Sequence, residues 1–119
     1  MITSLYVHIP FCKHICKYCD FCKVFYDVKK EEQYIDVLLR ELGGFKISCK
    51  LKTIYIGGGS PSCLSVNSLR KLLSFLRSYL DEDYEFSIEV NPEDIGEEKV
   101  RAFKEFGVNR ISVGVQCND

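Results

Sequence analysis

The chain has 119 residues, about the size of one domain, and its 46% hydrophobic and 28% charged residues are ordinary for a soluble globular protein. A formal net charge of −1 gives no basic excess that would indicate binding to nucleic acid. No apolar run approaches the ~20 residues of a membrane span, and the first residues lack the pattern of a signal peptide. We therefore expect a cytoplasmic protein, whose seven cysteines stay reduced and act more readily as ligands than as disulfides.

The first half of the chain alternates between strand and helix patterns. Aromatic and β-branched residues at 5–9, closed by Pro10, predict the first strand. Apolar side chains at helical spacing predict a helix over about 31–43 that ends at a pair of glycines. A second strand is predicted at 53–56, and it stops at the three glycines 57–59.

The second half repeats this alternation. Ser65 is the predicted N-cap of a second helix, whose apolar face consists of Val66, Leu69, Leu72, Leu73, Leu76 and Leu80. A third strand is predicted at 84–90, and a third helix over about 96–106 with Gly107 as its left-handed cap. The fourth strand is predicted at 110–115.

The element order β-α-β-α-β-α-β predicts an α/β fold with parallel strands joined by right-handed crossovers. A parallel sheet of this kind belongs to a barrel or to a doubly wound sheet, and four strands are too few to close a barrel. The chain also stops just after its fourth strand. We therefore expect residues 1–119 to be a truncated N-terminal part of a larger (β/α) barrel similar to a TIM barrel, with about four βα units.

Polar groups follow each predicted strand. A cysteine-rich loop follows the first strand, the segment Gly-Gly-Gly-Ser-Pro-Ser follows the second, Glu89 lies at the end of the third, and Gln116 follows the fourth. Because the carboxyl ends of parallel strands meet at one edge, these groups are expected to lie together and to bind a polar ligand. His8, inside the first strand, is more typical of a core histidine with satisfied hydrogen bonds than of a ligand.

The cysteine-rich loop contains Cys12, Cys16 and Cys19 in the pattern C-x3-C-x2-C. Three thiolates can hold a [4Fe-4S] cluster with one iron left open for another ligand. The same thiolates can bind zinc if Cys22 or His14 supplies a fourth ligand. The absence of a second, separated ligand pair in the sequence favours the cluster.

The glycines 57–59 have two interpretations. They allow a tight turn with positive φ, and they also allow a ligand to approach the backbone closely at the end of a strand. The segment is neither a phosphate-binding Walker A loop nor a dinucleotide-binding fingerprint, because no Gly-Lys-Ser/Thr follows and Pro61 breaks the spacing.

Four segments of the chain, LYVHIPFCKHICKYCDF, IYIGGGSPSCLS, SIEVNPEDI and RISVGVQ, resemble consecutive motifs of the radical S-adenosylmethionine (radical SAM) superfamily. They are most similar to the branch that contains oxygen-independent coproporphyrinogen III oxidase and the HemW-type haem chaperone. The run C-D-F at residues 19–21 resembles the chaperone more than the oxidase, which usually has C-x-C starting at the third cysteine of the pattern. Cys22 is then implied to be a bystander thiol.

The resemblance implies roles for individual residues. The implied ligands of a [4Fe-4S] cluster are Cys12, Cys16 and Cys19, and S-adenosylmethionine is the remaining ligand through its amino and carboxylate groups. Residues implied to bind this cofactor are Tyr6, Tyr18, Gly58, Gly59, Ser60, Glu89 and Gln116.

The implied activity is reductive cleavage of S-adenosylmethionine to methionine and a 5′-deoxyadenosyl radical, in porphyrin or haem metabolism. The complete protein is then an oxidoreductase similar to coproporphyrinogen III oxidase, supplied by an electron donor such as flavodoxin or ferredoxin. The alternative is a haem chaperone that carries the cluster without oxidase turnover. We expect little substrate turnover from the 119-residue chain itself, because substrate needs a more complete barrel wall.

Overall fold

The computed structural model describes residues 4–12, 24–25, 28–44, 50–59 and 61–113, with residues 11–12, 24–25 and 28–29 described by their backbone alone. The strands in this part of the chain are β1 (Ser4–Ile9), β2 (Phe11–Cys12), β3 (Val24–Phe25), β4 (Leu51–Gly58), β5 (Leu80–Val90) and β6 (Arg110–Val113). The α-helices are α1 (Val28–Gly44), α2 (Val66–Arg77) and α3 (Glu97–Glu105), and short 3-10 helices lie at Pro61–Cys63 and Pro92–Asp94.

The main sheet contains β1, β4, β5 and β6 in that order, and every neighbouring pair is parallel. Spatial order therefore equals chain order, with one helix in each crossover. Right-handed crossovers that always advance in one direction place every helix on the same face of the sheet, as in a barrel wall. A doubly wound sheet would reverse direction and cover both faces. The predicted α/β fold with a partial parallel barrel is confirmed.

The two faces of this sheet differ in chemistry. Buried side chains on the helix-covered face form one core with α1, α2 and α3, and the strand residues in it include Val7, Ile9, Ile54, Ile56, Phe86, Ile88 and Val90. The other face is polar, because side chains alternate along a strand and residues in register share a face. One row across it consists of Tyr6, Tyr55, Ser87 and Arg110.

Two helix caps form where the sequence predicts them. The Ser65 side chain accepts a hydrogen bond from the Ser68 backbone N–H at 3.3 Å, and so caps α2. Gly107 has φ +80° after α3, while Val108 donates its N–H to Phe103 at 2.9 Å and Gly107 donates to Lys104 at 3.3 Å. This pair of bonds is the Schellman arrangement that ends helices at glycine.

Some predicted boundaries are wrong. Leu80 was assigned to the apolar face of the second helix, but it begins β5 and pairs with Leu51. The Leu51 backbone N–H also donates to the Tyr79 carbonyl at 2.7 Å, so strand pairing replaces the last helical turn. Strand β4 continues through Gly58 instead of stopping before the glycines, and the pairing of β2 with β3 was not predicted. Residues 114–115 of the predicted fourth strand lie outside the described residues.

Strand β6 has apolar side chains on the helix side of the sheet that no described element covers. Ile111 is 46% exposed and Val113 is 63% exposed, although their register partners Ile88 and Val90 are buried. Within the described part of the chain, β6 therefore carries an uncovered apolar face.

Candidate functional site

The carboxyl ends of the four parallel strands form one edge of the sheet. Ile9 is in register with Gly58, and Val90 is in register with Val113. Segments that leave this edge include the two short 3-10 helices and the strand β2. Among the described members of the predicted set, Gly58, Gly59 and Glu89 are in the last residues of β4 and β5 or directly after them, and Tyr6 lies in the middle of β1.

Glu89 is hydrogen-bonded to residues 57–62, which we call the glycine segment. Its Oε1 accepts a hydrogen bond from the Gly58 backbone N–H at 3.0 Å. A Cβ on Gly57 would lie 2.5 Å from the same oxygen and 3.0 Å from the Tyr6 hydroxyl. The missing side chain of Gly57 therefore lets a carboxylate from β5 and a phenol from β1 converge over β4. The sequence predicts Glu89 at this edge, but it does not predict that the Glu89 carboxylate and the Tyr6 hydroxyl approach each other over Gly57.

On the polar face of the sheet, the Tyr6 ring contacts the rings of Tyr55 and His8. Its ring stacks on Tyr55 with centroids 5.9 Å apart and an interplanar angle of 14°. Its hydroxyl lies 3.4 Å from His8 Nδ1, and the side chain is still 56% exposed. The interpretation of His8 as a core histidine is wrong, because His8 shares the polar face with Tyr6 and is exposed. Tyr55 was not predicted as a site residue.

The glycine segment is shaped by contacts within the chain. Gly58 has φ +115°, and a Cβ there would lie 2.5 Å from the Ile9 carbonyl oxygen. Gly59 donates its N–H to that same carbonyl at 2.7 Å. The N–H groups of Gly58 and Gly59 are therefore both donated within the chain and do not serve as donors to a ligand.

A second set of bonds joins the glycine segment to the end of β5. The buried hydroxyl oxygen of Ser62 accepts a hydrogen bond from the Asn91 backbone N–H at 2.8 Å, and the Ser62 carbonyl accepts one from Lys99 Nζ. The Asn91 side chain accepts from the Glu93 N–H at 3.1 Å and so starts the 3-10 helix at Pro92–Asp94. Nothing local in the sequence indicates the hydrogen bond between Asn91 and Ser62.

The carboxyl end of β1 is held from the helix side. The Tyr34 hydroxyl on α1 donates a hydrogen bond to the His8 carbonyl. Burial raises the pKa of Tyr34, and the nearby carboxylate of Glu41 raises it further, so this phenol remains a donor. Tyr34 lies in the helix predicted over about 31–43, and the helical spacing does not indicate this hydrogen bond.

The cysteine-rich loop is closed at its base. Strands β2 and β3 pair in parallel, with Phe11 opposite Val24 and Cys12 opposite Phe25. The chain therefore enters and leaves residues 13–23 at adjacent backbone positions. The structure describes only the backbone of Cys12, and the other predicted residues Cys16, Tyr18, Cys19, Ser60 and Gln116 lie outside the described residues. Among the described side chains, no group of three His, Cys, Asp or Glu residues could hold a metal ion.

The chain is similar in sequence to proteins of known name. It matches the family model of the Radical SAM superfamily over residues 6–119. It is 48% identical over 116 residues to heme chaperone HemW of Lactococcus lactis, which covers 96% of this chain and 30% of the relative. It is 44% identical over 121 residues to heme chaperone HemW of Bacillus subtilis, covering 97% and 32%. It is 37% identical over 121 residues to anaerobic coproporphyrinogen III oxidase 1 of Cereibacter sphaeroides, covering 95% and 26%.

The fold is also similar to a solved structure. Coproporphyrinogen III oxidase (HemN) from Escherichia coli, a radical SAM enzyme, superposes with a TM-score of 0.82 and 34% identity, over 94% of this chain and 27% of that one. The chain spans about a third of the length of the curated relatives it matches. In the part of the chain that the structure describes, no helix has both the length and the apolar character needed to cross a bilayer. The chain belongs to the radical SAM superfamily.

Proposed function

We propose that this chain binds a [4Fe-4S] cluster through Cys12, Cys16 and Cys19, and that S-adenosylmethionine completes the cluster at the carboxyl edge of the sheet. When bound, the cluster supplies the electron that cleaves S-adenosylmethionine to methionine and a 5′-deoxyadenosyl radical. Membership of the superfamily supports this proposal. The single observation that carries it furthest is the convergence of Glu89 and Tyr6 over Gly57 on an open polar face.

The donor set fits a cluster better than zinc. Three thiols are the soft ligands that iron–sulfur centres take, and three leave one iron open. The pairing of Cys12 with Phe25 closes the loop at its base, which lowers the entropy lost when its thiolates converge on one centre. A reduced, cytoplasmic environment, which we also propose, keeps these thiols available as ligands.

The described edge fits a cationic, aromatic cofactor. S-adenosylmethionine carries a sulfonium and an ammonium group, and both favour carboxylates and carbonyl oxygens. Glu89 supplies the carboxylate, and the exposed Tyr6 ring offers an aromatic surface. By resemblance, Tyr18, Ser60 and Gln116 are further contacts to the same cofactor.

The cluster is tested by iron and sulfide analysis together with an electronic spectrum, after anaerobic reconstitution of the chain. We expect close to four irons and four sulfides per chain, as in other cubane clusters. Protein that takes up one zinc and no sulfide would refute the cluster.

The cofactor site is tested separately with two variants on one strand. Glu89→Gln keeps an oxygen that accepts from Gly58 but removes the charge, so we expect S-adenosylmethionine to bind about tenfold more weakly. Glu85→Gln is the control, because Glu85 lies on the same face toward the amino edge and pairs there with Arg110 at 2.7 Å. Equal affinities for the two variants would contradict the assignment of Glu89.

The substrate class proposed for the complete protein is a porphyrin or haem, with a low-potential protein such as flavodoxin or ferredoxin as electron donor. The names of the relatives support this class, since they include haem chaperones and coproporphyrinogen III oxidases. An oxidase similar to coproporphyrinogen III oxidase would couple cofactor cleavage to substrate oxidation.

A haem chaperone is the second candidate. HemW relatives are between 36% and 48% identical to this chain, and two of them, at 48% and 44%, exceed the 37% and 36% of two coproporphyrinogen oxidases. Haem titration combined with an assay of 5′-deoxyadenosine separates the candidates. Stoichiometric haem binding without substrate conversion supports the chaperone, and conversion of coproporphyrinogen supports the oxidase.

A further inference from the structure

Glu31, in the first turn of α1, is a carboxylate with no exposed surface. Its Oε1 accepts a hydrogen bond from the Ser65 backbone N–H at 3.0 Å, and its Oε2 accepts one from the Ser65 hydroxyl at 2.7 Å. Ser65 is the N-cap of α2, so both bonds end at the start of a second helix. Glu31 is not part of the candidate cofactor site.

The surroundings explain how a buried charge is tolerated there. Burying a carboxylate is costly unless hydrogen bonds satisfy it. Glu31 makes no ion pair within the described part of the chain, but it receives two donors and lies at the positive end of the α2 dipole. Hydrogen bonds to an ionised acceptor are short and strong, so this contact fixes α1 against α2 firmly.

The Glu31–Ser65 contact connects two positions that each follow a loop at the carboxyl edge of the sheet. Upstream, Glu31 follows β3 closely, and β3 closes the cysteine-rich loop by pairing with β2. Downstream, Ser65 follows the 3-10 helix Pro61–Cys63, which ends the glycine segment. Strand β2, which carries Cys12, also lies against that 3-10 helix. The Glu31–Ser65 contact is thus a side-chain link between the helix that follows the cysteine-rich loop and the helix that follows the glycine segment.

We propose that Glu31 is a positioning residue that fixes the cysteine-rich loop relative to the glycine segment. This inference rests on the proposed cofactor site. Without the carboxylate, the N–H and hydroxyl of Ser65 lose their buried acceptors, and α1 can shift against α2. The cysteine-rich loop and the glycine segment then move apart. This displacement weakens the binding of S-adenosylmethionine more than it lowers the amount of bound cluster.

The test measures three quantities in each variant: iron and sulfide per chain, the dissociation constant of S-adenosylmethionine for the cluster-loaded chain, and the midpoint of urea unfolding. For Glu31→Ala we expect S-adenosylmethionine to bind about tenfold more weakly while iron and sulfide stay near the wild-type level. Ser65→Ala should weaken binding similarly, and Ser65→Thr, which keeps the hydroxyl, should restore it to within about twofold.

The matched control is Asn109→Ala. The Asn109 side chain accepts from the Phe86 N–H at 2.8 Å and donates to the Tyr84 carbonyl at 2.9 Å, at the opposite edge of the sheet. This variant should lower the unfolding midpoint and leave the affinity for S-adenosylmethionine within about twofold of wild type.

Wild-type affinity in Glu31→Ala, or equal weakening in Asn109→Ala, overturns the proposal. If Glu31→Ala does not fold, Glu31→Gln and Ser65→Ala decide it: weakened binding in both supports the proposal, and unchanged binding in both overturns it. A wild-type chain that holds the cluster but binds no S-adenosylmethionine refutes the proposed function itself, and the positioning role with it.

Discussion

Gly58→Ala should destabilise the chain more than any exposed glycine substitution can. Gly58 has φ +115°, where a side chain costs about 1–2 kcal/mol relative to glycine. The added Cβ would lie 2.5 Å from the Ile9 carbonyl oxygen and 2.8 Å from the Ile9 nitrogen, which are backbone atoms that cannot rotate away. Strand β1 must therefore shift, and the hydrogen bond from Gly59 to Ile9, now 2.7 Å, weakens by about 1 kcal/mol. The expected loss is about 3 kcal/mol in the free energy of unfolding.

Urea unfolding followed by far-ultraviolet circular dichroism measures this loss. Gly44→Ala is the matched control, because Gly44 ends α1 and a Cβ there would meet nothing within 4 Å. The control should change the free energy of unfolding by no more than about 1 kcal/mol, in the stabilising direction. A Gly58→Ala variant that unfolds within about 1 kcal/mol of wild type would refute this account of the glycine segment.

Three further predictions concern pH, the thiols and the uncovered strand. Because burial raises the pKa of Tyr34, and Glu41 adds to the effect, the folded chain keeps this proton to a higher pH than the unfolded chain does. The resulting stability is complete below about pH 10 and is lost as the pH rises through the folded pKa, so Tyr34→Phe should flatten the alkaline fall in the urea midpoint; an equally steep fall would contradict this. Cys16→Ala should abolish cluster binding, because two thiolates hold a cube poorly, and Cys22→Ala should leave the iron content nearly unchanged; equal loss in both would show that the ligand assignment is wrong. We expect the uncovered apolar face of β6 to make the chain self-associate, and Ile111→Lys should reduce this association in size-exclusion chromatography, since Ile111 is 46% exposed on that face; Val37→Lys, at a 48% exposed position on α1, should not reduce it. Association that persists equally in both variants would exclude this face as its cause.

Much of the architecture could be predicted because its signals are local. The apolar spacing of α2, the N-cap at Ser65 and the left-handed cap at Gly107 each depend on a few neighbouring residues. The alternation of strands and helices then determines that strand ends share one edge, which brought Glu89 and Gly58 together correctly.

The errors arose where a distant partner decides the outcome. Leu80 fits the helical spacing from Leu76, but its pairing with Leu51 places it in a strand. His8 alternates with the buried Val7 and Ile9, and a single strand does not reveal which face is covered. A parallel sheet usually buries both faces, whereas here the second face is polar and none of the described helices covers it. The bonds of Glu31 to Ser65 and of Ser62 to Asn91 likewise join residues far apart in sequence, where periodicity carries no information.

The central claim is that a cluster held by the three cysteines leaves one iron open for S-adenosylmethionine beside Glu89. The most direct test is the electron paramagnetic resonance spectrum of the chemically reduced, reconstituted chain, recorded with and without S-adenosylmethionine. The account predicts a reduced [4Fe-4S] signal whose shape changes when S-adenosylmethionine is added, because a new ligand alters the open iron. A cluster signal that is identical with and without S-adenosylmethionine would contradict it.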